Sequence, residues 1–342
     1  MKLGIIGLPD AGKTTLFEAL TGQRAETTNK SESRQGVIRV PDNRIDRLSQ
    51  MYQPKKTTYA QVEYFLPGFN PAKKDPKDYS PWTLIRDCDA LIEVVRNFKG
   101  YDGEVQNPRS DFLTIDSELM LSDQITIEKR IERMEADKKR GRKIDTEEMS
   151  ALSACLGMLE NEMPIRRDRK LADAPQLRGF ALMSGKPMLI LFNNADDDDQ
   201  MPDDAIFALE QKMIIKARLE QEISRMSAED AREFLSEFNL SAMATDRVIK
   251  QSYDLLGLIS FFTVGEDEVK AWTIKKTTEA LDAAGVIHSD IKKGFIRAEA
   301  LFYDDLMDAG THAEARKRGT VRLEGKTYLV RDGDIINFRF NV

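Results

Sequence analysis

The chain has 342 residues, 41% of them apolar and 32% charged, with a net charge of −7 and a pI near 5.3. That length exceeds one ordinary domain and that apolar share builds real cores, while the acidic balance excludes a generally basic nucleic-acid coat but leaves room for a local cationic face. Two cysteines, Cys88 and Cys155, exclude a disulfide framework and a zinc cage.

Both cysteines fall in apolar periodic segments and read as buried thiols. Met1-Lys2-Leu3 runs into a strand without a signal-peptide pattern, and no apolar run approaches membrane-spanning length. The expectation is a soluble cytoplasmic protein.

The first apolar run, Leu3-Gly4-Ile5-Ile6, leads into Gly7-Leu8-Pro9-Asp10-Ala11-Gly12-Lys13-Thr14, and a helical run over 15–21 follows. The octapeptide fits G-x-x-x-x-G-K-[ST] between a strand and a helix, the setting in which that pattern cradles phosphate. Gly7 and Gly12 let the backbone N–H groups wrap a di- or triphosphate where a Cβ would clash. Lys13 reaches the β/γ-phosphates as a point charge, the Thr14 hydroxyl can ligate Mg²⁺, and the helix start adds its positive dipole end. Gly7, Pro9, Asp10, Ala11, Gly12, Lys13, Thr14 and Thr15 are the candidate phosphate-site residues, with Thr14 the metal ligand.

Further along, Gly36-Val37-Ile38-Arg39-Val40 reads as a strand, and a short helix follows with Ile45, Leu48 and Met51 on one face. Val62-Glu63-Tyr64-Phe65-Leu66 is another strand, ending at Pro67-Gly68 before a loop to Pro81. Ala90-Leu91-Ile92-Glu93-Val94-Val95 and Met188-Leu189-Ile190-Leu191-Phe192 read as strands buried in a sheet. Strands alternating with helices behind a phosphate loop predict a doubly wound α/β domain with ligand at the strand C-terminal ends.

Between those two runs Leu113, Met120, Ile127 and Met134 recur every seven residues, with Gln124 and Ile131 at intermediate positions, which predicts one long helix with a narrow apolar seam. The basic turn Lys138-Lys139-Arg140-Gly141-Arg142-Lys143 precedes a second helix carrying Leu152, Cys155, Leu156, Leu159 and Met163. This is an antiparallel helical hairpin whose cationic tip suits a phosphate backbone. From about Ile259 the pattern changes to a small α+β unit. Strands are expected over 261–264 and 269–274, a helix over 278–284, a hairpin over 321–330 and a last strand over 335–340.

At this point the residues resemble a family. Gly7-Leu8-Pro9-Asp10-Ala11-Gly12-Lys13-Thr14-Thr15-Leu16-Phe17 and Val40-Pro41-Asp42-Asn43-Arg44-Ile45-Asp46-Arg47-Leu48 are similar to the N-terminal half of the YchF (Ola-type) branch of the Obg-related P-loop NTPases. Val269-Lys270-Ala271-Trp272-Thr273-Ile274, Gly294-Phe295-Ile296-Arg297-Ala298-Glu299 and Phe338-Arg339-Phe340-Asn341-Val342 resemble that family's TGS domain. The resemblance spans nearly the whole chain. It implies a G domain over 1–110 and 171–258, a helical arm over 111–170, and a ubiquitin-like β-grasp TGS domain over 259–342. It also implies Mg²⁺ with ATP or GTP, and a ribosome or structured RNA as partner.

Within the resemblance, Asn193-Asn194-Ala195-Asp196 aligns with the family's N-x-x-E and with the N-K-x-D of ordinary GTPases. Asp196 could take two hydrogen bonds from a guanine edge, where the family's Glu goes with tolerance of adenine. Asn194 removes the Lys stem that lies along the base, so the base stays open between ATP and GTP. Lys216-Ala217-Arg218 stands where the family has Ser/Cys-Ala-Lys, whose backbone contacts the base, which makes Ala217 and Arg218 candidates beside Asn193 and Asp196.

The divergence falls on the response to phosphate. Leu66 takes the place of the Asp that holds Mg²⁺ through water, Phe69 falls where the γ-phosphate-sensing Gly is expected, and Thr27-Thr28-Asn29-Lys30-Ser31 offers no clear first-switch Thr. Loop amides, Lys13 and Thr14 remain for binding, whereas losing a group that positions water or stabilises transition-state charge costs about 10²–10³ in rate. The reading is a YchF-like purine nucleotide-binding protein with weak or lost intrinsic hydrolysis. The alternatives are an active Mg-dependent NTPase stimulated by the ribosome, and a nucleotide-independent TGS scaffold.

Overall fold

The computed structural model describes residues 1–23, 32–68, 81–99, 106–237 and 243–341. Thr27 to Ser31, Phe69 with Asn70 to Asp75, Ser241 and Ala242 lie outside the described residues. The chain divides into two compact units, one of Met1–Val37 with Glu63–Thr245, the other of Ile38–Val62 with Asp246–Val342.

The first unit opens with β1 (Lys2–Ile6) and α1 (Lys13–Thr21), followed by β2 (Arg34–Arg39). The chain then leaves for the second unit through α2 (Asn43–Tyr52) and β3 (Lys56–Thr58) and returns along β4 (Gln61–Leu66). A short α3 (Pro81–Leu84) precedes β5 (Ala90–Asn97), and the arm follows as α4 (Pro108–Lys139) and α5 (Thr146–Glu160). After α6 (Arg169–Ala172) come β6 (Met188–Asn194), β7 (Gln211–Ile215), α7 (Ala217–Ser224) and α8 (Ala228–Glu237).

The sheet order is β2-β4-β1-β5-β6-β7, and β1 runs parallel to both β4 and β5 while β6 runs parallel to β5 and β7. Because β1 lies between β4 and β5, the phosphate loop leaves the middle of the sheet at its C-terminal edge. β5 and β6 are buried along nearly their whole length, as parallel strands covered on both faces require. Asp89 accepts from the Lys2 N–H at 2.8 Å and donates its own N–H to Lys2 at 2.7 Å, so it braces the sheet's entrance.

Helix α4 departs from the expected seam. Leu113 is 36% exposed, while Phe112, Ile115 and Leu119 pack into the sheet core with Leu91, Val95 and Phe192. Only its distal half follows the heptad, with Ile127 and Met134 packed against Leu152, Cys155 and Leu159 of α5. A helix lying on a sheet buries a wide stripe and a helix facing one helix buries a narrow one, so a single helix serving both partners changes register midway. Met163 falls beyond α5 and is 45% exposed, outside the apolar face assigned to it.

The second unit continues through α9 (Ala244–Leu255), β8 (Leu258–Thr263), β9 (Glu268–Lys275), α10 (Ala280–Ile287) and α11 (Ser289–Lys293). It closes with β10 (Phe295–Phe302), α12 (Tyr303–Ala309), α13 (His312–Lys317), β11 (Arg322–Glu324) and β12 (Asp334–Phe340). Its sheet runs β11-β10-β12-β8-β9-β3, with α10 on one face over Phe261, Ile274, Ala298 and Ile336.

The hairpin expected over 321–330 does not form. β11 pairs with β10, and residues 326–330 bond to the start of α10 through Leu281 to Lys326, Ala280 to Tyr328 and Val330 to Thr278. An alternating pattern around a Gly turn marks two extended segments but does not choose their partners. The edge strand of that sheet, β3, comes from far upstream and pairs parallel with β9.

Candidate functional site

The phosphate loop is shaped by backbone that only its residue types tolerate. Gly7 sits at φ 144°, where an added Cβ would lie 2.4 Å from the Val94 carbonyl oxygen of β5, and Gly12 sits at φ 98°, where one would lie 2.2 Å from Asn193 Nδ2. Asp10 takes the left-handed region at φ 59°, which short polar side chains tolerate best after glycine. Gly12 caps α1 with no side-chain acceptor, so the first-turn N–H groups open onto the loop.

Lys13 bends back and donates to the Leu8 carbonyl at 2.6 Å. Burial pushes its ammonium down to about 8, and Asp10 pulls the other way. Among the described residues its ammonium has one neutral acceptor, and a partly buried cation so placed gains from any phosphate that takes it over. Thr14 is exposed, and among the described residues its hydroxyl has no hydrogen-bond partner.

Asn193, at the end of β6, ties the loop to its surroundings. Its Nδ2 donates to the Ala11 carbonyl at 3.0 Å and its Oδ1 accepts from the Ala217 N–H at 3.0 Å, all buried. One side chain therefore holds the loop, β6 and the start of α7 in register. Ala11, Gly12, Asn193 and Ala217 are brought together, and Asn193 spends both ends of its amide on main chain.

Asp196 instead faces solvent. Arg218 is exposed and pairs with Glu222 at 3.4 Å. Lys216 reaches Asp199 at 2.8 Å.

Several supporting contacts were not legible in the sequence. Asn194 is buried, accepts from Asn97 Nδ2 at 2.9 Å and donates to the Gln200 carbonyl at 2.9 Å, which pins the acidic loop after β6. The two asparagines are direct neighbours across β5 and β6, a pairing visible only once strand register is known. Glu18 on α1 accepts from Arg34 at 3.3 Å, Gln221 at 2.6 Å and Arg225 at 3.2 Å, joining α1 to α7. Both cysteines are free and buried.

The fit to magnesium is one-sided. Thr14 offers a hydroxyl with no partner among the described residues, and no three His, Cys, Asp or Glu among those residues cluster as a metal cage. Leu66, at the end of β4, is 7% exposed and apolar, and can hold neither the ion nor its water. No helix among the described residues is long and apolar enough to cross a membrane.

A phosphate loop between strand and helix at the edge of a parallel sheet defines a P-loop protein of the GTPase class. Residues 2–46 match the family model described as 50S ribosome-binding GTPase, and residues 258–341 match the YchF GTPase C-terminal model, described as a protein of unknown function (DUF933). The chain is 37% identical to the ribosome-binding ATPase YchF of Bacillus subtilis, over 99% of each chain. It is 35% identical to the protein of the same name in Escherichia coli O157:H7, over 100% of this chain and 99% of that one.

Among solved structures, the Schizosaccharomyces pombe YchF GTPase superposes with a TM-score of 0.81 at 28% identity, over 99% of this chain and 97% of that one. A GTP-binding protein of Pyrococcus horikoshii, at 18% identity and a TM-score of 0.59, shares the fold. The chain belongs to the YchF family.

Proposed function

We propose that the chain binds a purine nucleoside triphosphate, ATP or GTP, at residues 7–15 and works at the ribosome, with intrinsic hydrolysis weak or lost. The observation that carries the binding half is Lys13, a partly buried ammonium held beside an uncapped helix start by one carbonyl. Loop amides of Gly7, Pro9, Asp10, Ala11 and Gly12 would surround the phosphates, with Thr15 behind them in the first turn of α1. Thr14 and phosphate oxygens would hold Mg²⁺, which neutralises phosphate charge when bound.

Asp196 is free to meet the base edge, while Asn193 and Ala217 shape the wall beneath it and Arg218 stands at the rim. The ribosomal half rests on relatives named ribosome-binding ATPases, which match this chain end to end. Weak turnover rests on Leu66, a buried apolar side chain where the reaction asks for a group that orders water. The cytoplasm is the compartment this reading implies.

The experiment is equilibrium binding of labelled ATP and GTP with Mg²⁺, then single-turnover hydrolysis with and without ribosomes. Lys13→Ala is expected to weaken binding about 100-fold, on the scale of one lost charge-assisted phosphate contact. No binding of either nucleotide at millimolar concentration would sink the proposal, and rapid hydrolysis by the protein alone would remove its second half.

A further inference from the structure

Two asparagines end the neighbouring strands β5 and β6 and stand side by side in parallel register, Asn97 beside Asn194. Both are buried, 8% and 3% exposed, in a pair of polar side chains that carries no charge. Asn194 follows Asn193 directly but has different partners, because successive side chains of a strand point to opposite faces. Asn193 bonds to Ala11 and Ala217, whereas Asn194 bonds to Asn97 and to the turn that comes after β6.

Main chain sets the orientation of this amide pair. Asn194 Nδ2 donates to the Gln200 carbonyl at 2.9 Å and to the Asp198 carbonyl at 3.2 Å. Two carbonyls can be met only by the NH₂ end, so the Asn194 oxygen faces β5, where Asn97 Nδ2 donates to it at 2.9 Å. A buried donor and a buried acceptor are satisfied together, and the turn over 195–200 is fastened at its far end. The Asp198 N–H closes the turn on the Ala195 carbonyl at 3.1 Å, and the Asp198 carboxylate accepts from the Gln200 N–H at 2.8 Å.

Residues 196–199 are all aspartate, and their mutual repulsion favours opening the turn. Asp199 pairs with Lys216 at 2.8 Å, and Asp198 is engaged within the turn. Asp196 is exposed and has no hydrogen bond or ion pair among the described residues. The amide pair therefore works against the repulsion and holds an unengaged carboxylate in place.

We propose that Asn97 is a positioning residue for the nucleotide base: through Asn194 it keeps the 195–200 turn closed, so that the Asp196 carboxylate discriminates between purines. A fixed carboxylate offers acceptors only, and it separates a base edge with two adjacent donors from one with a donor beside an acceptor. A loose carboxylate swings away from the mismatch and separates them poorly. This inference rests on the nucleotide reading above and adds to it a side chain outside the phosphate loop.

The test measures dissociation constants of GTP, ATP and inorganic tripolyphosphate on the full chain with Mg²⁺. Asn97→Leu keeps the branched shape, removes the donor and leaves the Asn194 oxygen unpaired. It is expected to move the ratio of GTP to ATP affinity toward one by about tenfold, with tripolyphosphate affinity within about twofold of the wild type. Asn194→Ala is expected to give at least the same collapse, and the double variant no more than Asn194→Ala alone, since the two residues act through one contact. Asn97→Ser, which can donate through its hydroxyl or a bound water, is expected to retain most of the ratio. Should Asn97→Leu fail to fold, Asn194→Ala against Asn97→Ser makes the same comparison.

A wild-type ratio kept in Asn97→Leu and Asn194→Ala would overturn the proposal, as would a wild type that binds GTP and ATP equally. Equal losses for nucleotide and tripolyphosphate would also overturn it, making the pair a support of the whole site. If the wild type binds neither nucleotide, the nucleotide reading fails and this inference with it. If it binds them with a ratio that the variants leave unmoved, the reading stands and this inference alone fails.

Discussion

At the scale of single residues, Lys13 and Asn193 divide the work that the phosphate loop needs. Lys13 supplies charge, and the desolvation that lowers its pKa makes it sensitive to an incoming anion. Its folded value of about 8 lies below its ordinary 10.5, so between those values the unfolded chain holds more protons and the ligand-free protein gains stability as pH rises. Below about pH 8 both states are protonated and this contribution is flat.

Nucleotide, by contrast, binds the ammonium form, so affinity should fall with rising pH once the free protein passes about 8, by up to about tenfold per pH unit. Binding isotherms from pH 7 to 9.5 measure this, with Lys13→Gln expected to be flat. A flat wild-type profile would take Lys13 out of the phosphate site. Asn193, a neutral amide, supplies position instead, since both of its ends are bound to main chain.

At the scale of elements, the base of the arm is built on an interior ionic cluster. Arg166, just before α6, pairs with Asp116 of α4 at 2.7 Å and with Glu210, beside β7, at 3.0 Å, and all three side chains are at most 7% exposed. Glu93 of β5 faces the same group, and its Oε2 has no hydrogen-bond partner among the described residues. Burial raises its carboxyl well above the ordinary range, Asp116 adds to that, and Arg166 opposes it.

A carboxyl raised in the folded state favours folding at low pH and loses that contribution as pH rises. Glu93→Gln is therefore expected to match the wild type near pH 4.5 and to become more stable above it, by up to about 1.4 kcal/mol per pH unit. Urea midpoints measured from pH 5 to 8 decide it. A constant offset across that range would mean that Glu93 is ionised throughout. Deeper in the same helix, Asp123 meets the Met183 and Ser184 N–H groups at 2.9 and 2.7 Å, so α4 is held at its root by hydrogen bonds as well as by apolar packing.

At the scale of the whole molecule, the C-terminal unit is not a contiguous piece of chain. Ile45 and Leu48 of α2 are fully buried, α2 packs on β9, β3 extends the sheet beyond β9, and Arg44 bonds to Asp332 at 2.7 Å. All of these come from residues 38–62. A fragment of residues 246–341 would uncover the β9 face and leave the β9 edge unpaired. It is expected to lack cooperative unfolding and to bind a hydrophobic dye, whereas the full chain melts sharply. A fragment with a sharp melt and native near-ultraviolet dichroism would show that residues 38–62 are accessory.

The sequence alone determined the local chemistry: the phosphate loop, its strand and helix, and the α/β class. Each is written in residues adjacent along the chain, where steric rules and hydrophobic period act without reference to the rest of the fold. Tertiary structure decided which distant residues meet. It gave residues 326–330 to α10 instead of a hairpin, divided α4 between two cores, took β3 from upstream and made Asn193 a brace for the loop. Those choices depend on strand register and on which surface lies opposite, and side-chain period is blind to both.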